Sequence, residues 1–326
     1  MTTKERLESS PQYRGGRFHN SVPTDTSLKL AQMPKIALEA LTGGAGRRPP
    51  RPVPLVRSRP ESADGLHVTW YGHSSALVEI EGTRVLLDPV WSRRCSPSQL
   101  AGPSRLHEPP VALDDLPPID VVVISHDHYD HLDTATIRKL TGVRFVVPLG
   151  VGAHLERWGV EAGRVVELDW NESTNIGNVA LTATPARHFS GRGIRRDETL
   201  WASWVIKGPT RSAFYSGDTG YFDGFAAIGA AHGPFDVTLV QVGAYADTWS
   251  DIHMFPEDGV TAHLDVRGGL MIPVHWATFD LAPHRWSEPA ERTWREAKAR
   301  GVDLSIPRPG ERIDVDNPPE LEAWWS

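Results

Sequence analysis

The chain has one cysteine, Cys95, in 326 residues. A single thiol excludes an intrachain disulfide and any metal cage built on several cysteines, so Cys95 reads as a bystander. Long apolar runs are missing as well. None approaches the ~20 residues that a membrane-spanning helix needs. The opening Met1-Thr2-Thr3-Lys4-Glu5-Arg6 is too polar for a secretory signal. A cytoplasmic protein is expected, with peripheral membrane contact left open because it asks only for a surface patch. A basic excess is lacking too: 34 Lys and Arg stand against 41 Asp and Glu, a formal net charge of −7. A general nucleic-acid binder would show the opposite balance, so no nucleic-acid partner is expected. With 40% apolar and 23% charged residues, the composition is ordinary for a globular protein, and the length allows one large domain or two small ones.

What the chain does have is histidine concentrated in one place. His126-Asp127-His128-Tyr129-Asp130-His131 follows directly on Asp120-Val121-Val122-Val123-Ile124-Ser125. The apolar run reads as a strand buried on both faces. A rigid strand therefore ends, and a tight loop at once presents imidazoles and carboxylates. Imidazole suits zinc and similar borderline ions, and carboxylate adds a hard oxygen ligand. Such a group cannot be packed in an apolar interior without a compensating ion.

The rest of the chain is organised around that loop. Residues 1–64 are rich in Pro, Arg, Ser and Gly and read as an extended arm with little regular structure, apart from a short helix over 27–41. Arg17-Phe18-His19-Asn20 signals that the arm packs on a domain filling 65–326. Strands are expected over 67–71, 76–80, 84–88, 144–148, 165–168, 179–184, 201–207, 212–216, 237–242 and 270–274. Helices are expected over 134–140, 151–158, 256–263 and 288–300, the first capped by Asp133 and the last bracketed by Ser287 and Gly301. Residues 91–118 form a long Pro-studded connection, which in a compact domain is functional or well anchored. Strands and helices come in two successive sets that meet near residue 175. That fits an α/β architecture of two β-sheets packed face to face with helices outside.

Further polar residues fall at strand ends. Pro185-Ala186-Arg187-His188 follows one strand, and His275-Trp276 follows another. The turn Ser216-Gly217-Asp218-Thr219-Gly220 ends the hairpin, its glycines permitting a sharp bend that aims Asp218 inward. Asp88-Pro89 ends the third strand. His253 lies in a loop with Tyr245, Trp249 and Phe255.

His126-x-His128-x-Asp130-His131 resembles the signature of the metallo-β-lactamase superfamily. The resemblance implies an αββα sandwich, two mixed β-sheets flanked by helices, carrying two metal sites. His126, His128 and His188 would hold one ion. Asp130, His131 and His275 would hold the other, with Asp218 bridging. Asp127 and Tyr129 fall on variable positions, and Asp127 is expected not to ligate. The superfamily has an Asp where this chain has Asp88, orienting a metal-binding His through a hydrogen bond. Two metals ~3.5–4 Å apart lower the pKa of a shared water and hold hydroxide as nucleophile. Asp130 or Asp218 would orient that hydroxide and take up a proton. Two Zn2+ are expected, since His dominates; iron and manganese are the alternatives.

A narrower likeness rests on Trp70-Tyr71-Gly72-His73-Ser74-Ser75, Leu87-Asp88-Pro89-Val90-Trp91-Ser92, Leu116-Pro117-Pro118-Ile119-Asp120, Ile252-His253-Met254-x-Pro256-Glu257 and Pro273-Val274-His275-Trp276. From about Arg17 to Trp286 the chain is similar to the N-acyl-phosphatidylethanolamine-hydrolysing phospholipase D family. That implies a phosphodiesterase acting on a phosphodiester, with a phospholipid as the leading substrate class, and gives His253 the part of a catalytic auxiliary near the phosphate. Trp249, Phe255, Phe189 and the terminal Trp324-Trp325 would offer a lipid-facing surface, while Trp201 and Trp204 belong to the core. The competing expectations are a lactonase or β-lactamase-type hydrolase and a non-catalytic metal-binding scaffold. The oligomeric state, a homodimer included, is left open.

Overall fold

The computed structural model describes residues 3–26, 46–58, 62–193 and 195–326; the helix expected over 27–41 lies outside them. The arm carries more regular structure than its composition suggests. A helix, α1 (Thr3–Glu8), leads into a hairpin of β1 (Tyr13–Arg14) and β2 (Arg17–Phe18). The hairpin has an anchor: Phe18 is buried, and its amide donates to the Asp197 carbonyl at 2.8 Å.

The chain then builds β3 (Leu66–Gly72), β4 (Ser75–Ile80), β5 (Thr83–Leu87), β6 (Val121–Val123), β7 (Arg144–Pro148) and β8 (Val165–Leu168). It crosses over to β9 (Ser173–Ile176), β10 (Val179–Thr184), β11 (Ser203–Lys207), β12 (Ser212–Tyr215), β13 (Phe235–Gln241) and β14 (Gly268–Val274), and returns with β15 (Arg312–Asp314). The interleaved helices are α2 (Thr134–Lys139), α3 (Gly152–Arg157), α4 (Gly224–His232), α5 (Pro256–Asp265) and α6 (Glu288–Arg300).

Two mixed sheets result. The first runs β15-β3-β4-β5-β6-β7-β8, antiparallel up to β5 and parallel beyond it. The second runs β14-β13-β12-β11-β10-β9, parallel between β12 and β14 and antiparallel elsewhere. The switch between sheets falls at β9, beside the expected break near residue 175.

Alternation along the strands explains why the first sheet must be covered twice. Trp70, Val78, Val85, Val121 and Val123 point into one cluster with Leu181, Trp204, Phe214 and Val240 of the second sheet. Their neighbours Tyr71, Leu77, Leu86 and Val122 point into another, with Ile137 of α2 and Leu155 of α3. Side chains of successive strand residues leave opposite faces, so the first sheet is apolar on both. Fully burying one large apolar side chain contributes roughly 1.5–3 kcal/mol, and both faces are filled with them. Trp201 and Trp204 are core residues, as expected. The terminal pair is not a lipid-facing surface: Trp325 is buried edge-on to Trp276 and Trp294, and Trp324 packs on Trp276.

Local signals hold at most helix ends. The Asp133 side chain accepts from the Ala135 amide at 3.3 Å and caps α2. Gly301 takes φ 65° and ends α6 in the left-handed conformation that favours glycine. Ser287 does not cap α6; its hydroxyl donates to the Glu291 carboxylate at 3.1 Å instead. The 91–118 connection is pinned. Trp91 donates its indole N–H to the Val111 carbonyl, Arg105 donates to the Val90 carbonyl, and the Leu106 amide donates to the Thr278 carbonyl.

For the site, direction is what matters. The strands β10, β12 and β14 run the same way, so their C-terminal ends open on one rim of the second sheet. The end of β6 meets that rim from the first sheet, where the Trp204 indole donates to the Ile124 carbonyl at 3.1 Å.

Candidate metal centre

Four strand ends deliver the polar residues. The loop after β6 brings His126, His128, Asp130 and His131; β10 leads to His188, β12 to Asp218 and β14 to His275. The turn before Asp218 needs glycine. Gly217 sits at φ 57°, and a Cβ there would lie 2.8 Å from the Ser125 Cβ and 2.9 Å from the Ala202 carbonyl oxygen. Positive φ recurs at non-glycine residues around the same centre, at Asp88 (36°), His73 (53°) and His275 (66°). Such backbone is costly and persists only where the surroundings impose it.

All seven residues converge. The His126 Nε2 lies 2.8 Å from the His128 Nδ1, which is 3.3 Å from the His188 Nε2. On the other side, the His131 and His275 Nε2 atoms lie 3.6 and 3.4 Å from the Asp130 Oδ2. The Asp218 Oδ2 stands between the two groups, 2.9 Å from His275, 3.1 Å from His131, and 4.0 Å from both His126 and His188. Asp127 turns away, accepting from the Gly191 amide at 2.7 Å and facing the His154 ring.

The outer ring nitrogens fix which way the lone pairs point. The His188 Nδ1 lies 2.9 Å from the Ile252 carbonyl oxygen, and the His131 Nδ1 lies 2.6 Å from the Asp88 Oδ2. An Nδ1–H donated outward leaves the Nε2 lone pair facing inward. Asp88 thus sits where the resemblance places an orienting Asp. It is fully buried, and it also accepts from the Ser125 amide (2.7 Å), the Ser125 hydroxyl (2.5 Å) and the Tyr215 hydroxyl (2.5 Å).

Charge is divided across the centre. Burial, then the neighbouring His131 and His128, push His126 well below its ordinary pKa, and burial does the same to His188. Burial also opposes charging His131, but Asp218, Asp130 and Asp88 overcome it and hold that ring well above the usual range. His275 is pushed up to about 9 against its burial, by Asp218 and Asp130. Despite burial, the imidazoles around Asp130 and Asp218 keep both carboxyls far below the usual carboxylate range.

This donor set fits a pair of borderline divalent ions. Among the described residues, the His131 Nε2, the His275 Nε2 and the Asp218 Oδ1 are buried without a partner in hydrogen-bonding geometry, close as the two nitrogens lie to the Asp218 Oδ2. Each orphan costs about 1–3 kcal/mol in an interior. Imidazole nitrogens and carboxylate oxygens that face one another inward are what a cation satisfies, taking the place of the protons that His131 and His275 otherwise hold. The two histidine-rich groups, His126, His128 and His188 on one side and Asp130, His131 and His275 on the other, each bring their ligand atoms within 4.8 Å of one another.

Two residues that the strand-end reasoning passes over belong to the centre. His73 follows β3 inside Trp70-Tyr71-Gly72-His73, and its Nε2 lies 2.9 Å from the Asp130 Oδ2. Burial and the nearby His275 pull it down to about 3, so the ring stays neutral. Asn20 holds His188 by its backbone: its Nδ2 donates to the His188 carbonyl at 2.7 Å, and its Oδ1 accepts from the His188 amide at 3.0 Å. Asn20→Ala is expected to weaken the binding of a divalent metal such as zinc by about tenfold, the low end of what losing an outer partner of a ligand costs. Zinc titration of the purified variant checks it, and wild-type affinity would refute it.

His253 stands at the mouth. Its Nε2 is 4.0 Å from the Asp218 Oδ2, its ring centroid is 5.3 Å from those of His188 and His275, and burial pulls its pKa down to about 4. It lines a cavity of about 200 Å³ with His128, Asp130 and Asp218, whose remaining wall includes Phe189, Trp249, Ile252 and Leu281. Phe255 instead packs on Tyr245.

Residues 83–276 match the family described as beta-lactamase superfamily domain. An uncharacterized protein of Mycobacterium tuberculosis is 51% identical over 327 residues, covering 98% of this chain and 88% of the relative. The N-acyl-phosphatidylethanolamine-hydrolyzing phospholipase D 1 of Caenorhabditis elegans is 37% identical over 235 residues, 68% of this chain and 66% of that protein. Among solved structures, a metallo hydrolase from the archaeon Ignicoccus hospitalis aligns with TM-score 0.58 and 22% identity over 76% of this chain and 97% of its own. That last likeness is one of fold.

Proposed function

The chain belongs to the metallo-β-lactamase superfamily of metal-dependent hydrolases, and from that premise we propose that it is a phosphodiesterase of the N-acyl-phosphatidylethanolamine phospholipase D type. The observation that carries the reading is the two-sided centre: donors on both flanks of one carboxylate, opening into a small cavity beside His253. The kinship with the nematode phospholipase supports a phosphodiester as the substrate class.

In this reading His126, His128 and His188 would hold one Zn2+, and Asp130, His131 and His275 would hold a second, with Asp218 placed between the two groups. Bound ions of this kind supply a water of lowered pKa and Lewis-acid stabilisation of phosphoryl oxygens. The protein orients. Asp88 and the Ile252 carbonyl fix the rings of His131 and His188, and His73 steadies Asp130. Asp218, held anionic, and Asp130 are the groups placed to take a proton from the attacking water. His253, neutral at pH 7, donates a hydrogen bond to the substrate phosphate. Water adds at phosphorus and the bond from phosphorus to the ethanolamine oxygen breaks, giving phosphatidate and an N-acylethanolamine. No helix among the described residues is long and apolar enough to cross a membrane.

The test is mass spectrometry of products from zinc-loaded protein and N-acyl-phosphatidylethanolamine, with Asp218→Asn as blank. Phosphatidate plus N-acylethanolamine is the expected result. An intact lipid alongside rapid hydrolysis of a lactone would overturn the reading. His253→Ala is expected to slow turnover by about a hundredfold, the lower range for a positioned proton-handling group, with zinc content unchanged.

A further inference from the structure

Arg196 has a different situation from the other arginines near the centre. Arg187 is consumed by contacts with Asp251, the Pro23 and Tyr221 carbonyls and the Thr24 hydroxyl. Arg192 is held by the carbonyls of Asp127 and Leu132 and lies over Tyr129. Arg105 donates to the Val90 and His107 carbonyls. Among the described residues Arg196 makes a single side-chain hydrogen bond, Nη1 to the Thr26 carbonyl at 3.0 Å, and no close ion pair, its nearest electrostatic partner being the neighbouring Asp197. A guanidinium carries five N–H donors, so most of its donors are free.

The group is nonetheless fixed in place. Its Cζ lies 4.4 Å from the Phe189 ring centre, a cation–π contact. Phe189 in turn packs edge-on to His128, with centroids 4.4 Å apart, and against His188 at 4.9 Å. One aromatic ring therefore separates this cation from two imidazoles of the centre. Arg196 lines the same cavity as His128, Asp130, Asp218 and His253, and among the described residues it is the one Arg or Lys that does. Among the described residues, the other full charges on that lining are the carboxylates of Asp25, Asp130 and Asp218.

A stacked guanidinium with free donors is shaped to take an anionic oxygen, and Arg suits phosphate because its planar fork can donate twice. We propose that Arg196 is a specificity-determining residue that binds a non-bridging oxygen of the substrate phosphodiester, selecting monoanionic diesters over uncharged lactones and esters. The inference rests on the phosphodiesterase reading and adds the residue that recognises the charge. The plainer role, stapling Thr26 of the N-terminal segment to the domain, uses one donor and leaves the rest unexplained.

The experiment is steady-state kinetics of zinc-loaded wild type, Arg196→Gln and Arg196→Lys on bis(p-nitrophenyl) phosphate, with diethyl phosphate as competitive inhibitor and zinc content measured throughout. For Arg196→Gln the expected result is a KM and an inhibition constant raised about ten- to a hundredfold, the range for losing a charge-assisted hydrogen bond, with kcat and zinc content near wild type. Arg196→Lys should recover part of the loss, because it keeps the charge without the fork. Unchanged KM in Arg196→Gln, with the wild type active, overturns the assignment and leaves the phosphodiesterase reading standing. A fall in kcat with lost zinc also overturns it, by marking a purely structural role. Wild type that neither cleaves the diester nor binds diethyl phosphate sinks the phosphodiesterase reading and this inference with it.

Discussion

Asp218→Asn is expected to cut hydrolysis by well over a hundredfold, beyond the 10–100-fold that an outer partner of a metal ligand is worth. The substitution is nearly isosteric, so packing is not the issue. Charge is. The Asp218 Oδ2 is a carboxylate oxygen within 4.0 Å of imidazoles from both halves of the centre. An amide removes the negative charge that holds His131 and His275 above their ordinary pKa. It also risks aiming N–H groups at lone pairs that face inward. Bound metal should fall below the wild-type content, and an apo-like variant should still fold, because the apolar clusters on both faces of the first sheet are untouched. Zinc analysis beside steady-state rates checks this. Normal zinc with wild-type turnover would remove Asp218 from the site.

Asp88→Ala carries the second large effect, and it reaches stability as well as chemistry. Four donors converge on this one buried carboxylate: the Ser125 amide and hydroxyl, the His131 Nδ1 and the Tyr215 hydroxyl. Alanine would strand them in a dry interior. Breaking a buried charged cluster from one side costs about 3–5 kcal/mol, a range reached by few point substitutions. Freed from Asp88, His131 can rotate, so zinc affinity should fall a further 10–100-fold. Urea unfolding of the metal-free protein isolates the first effect, and zinc titration the second. A midpoint shift worth less than about 1 kcal/mol would show that the network contributes little.

The contrast between what the chain reveals locally and what it conceals has a physical cause. The metal loop is legible because its residues are six consecutive positions on the end of an apolar strand, and the direction of that strand is itself readable. His188, Asp218 and His275 are legible for the same reason, each lying just past a run with strand character. His73 is harder, since what marks it is a bond to Asp130 across a separation of 57 residues. Asn20 is harder still, bonding His188 across 168 residues from a segment whose composition reads as loose. The helix α4 escapes notice because Gly224–His232 is mostly Gly and Ala, with no apolar stripe to count. The terminal tryptophans mislead in the opposite direction: exposed position in the chain says nothing about Trp325, which packs against Trp276 and Trp294.

The returning strand β15 has a consequence for how the molecule is made. It pairs Arg312 with Thr69 and Asp314 with His67, covering the outer edge of β3. Until that strand is synthesised, β3 presents a bare row of amide and carbonyl groups, an open template for pairing with another chain. Closing it joins the two ends of the domain, and such long loops close slowly. The nascent domain therefore spends most of its synthesis with an adhesive margin, and assembly of its first sheet is a late event in the life of each copy.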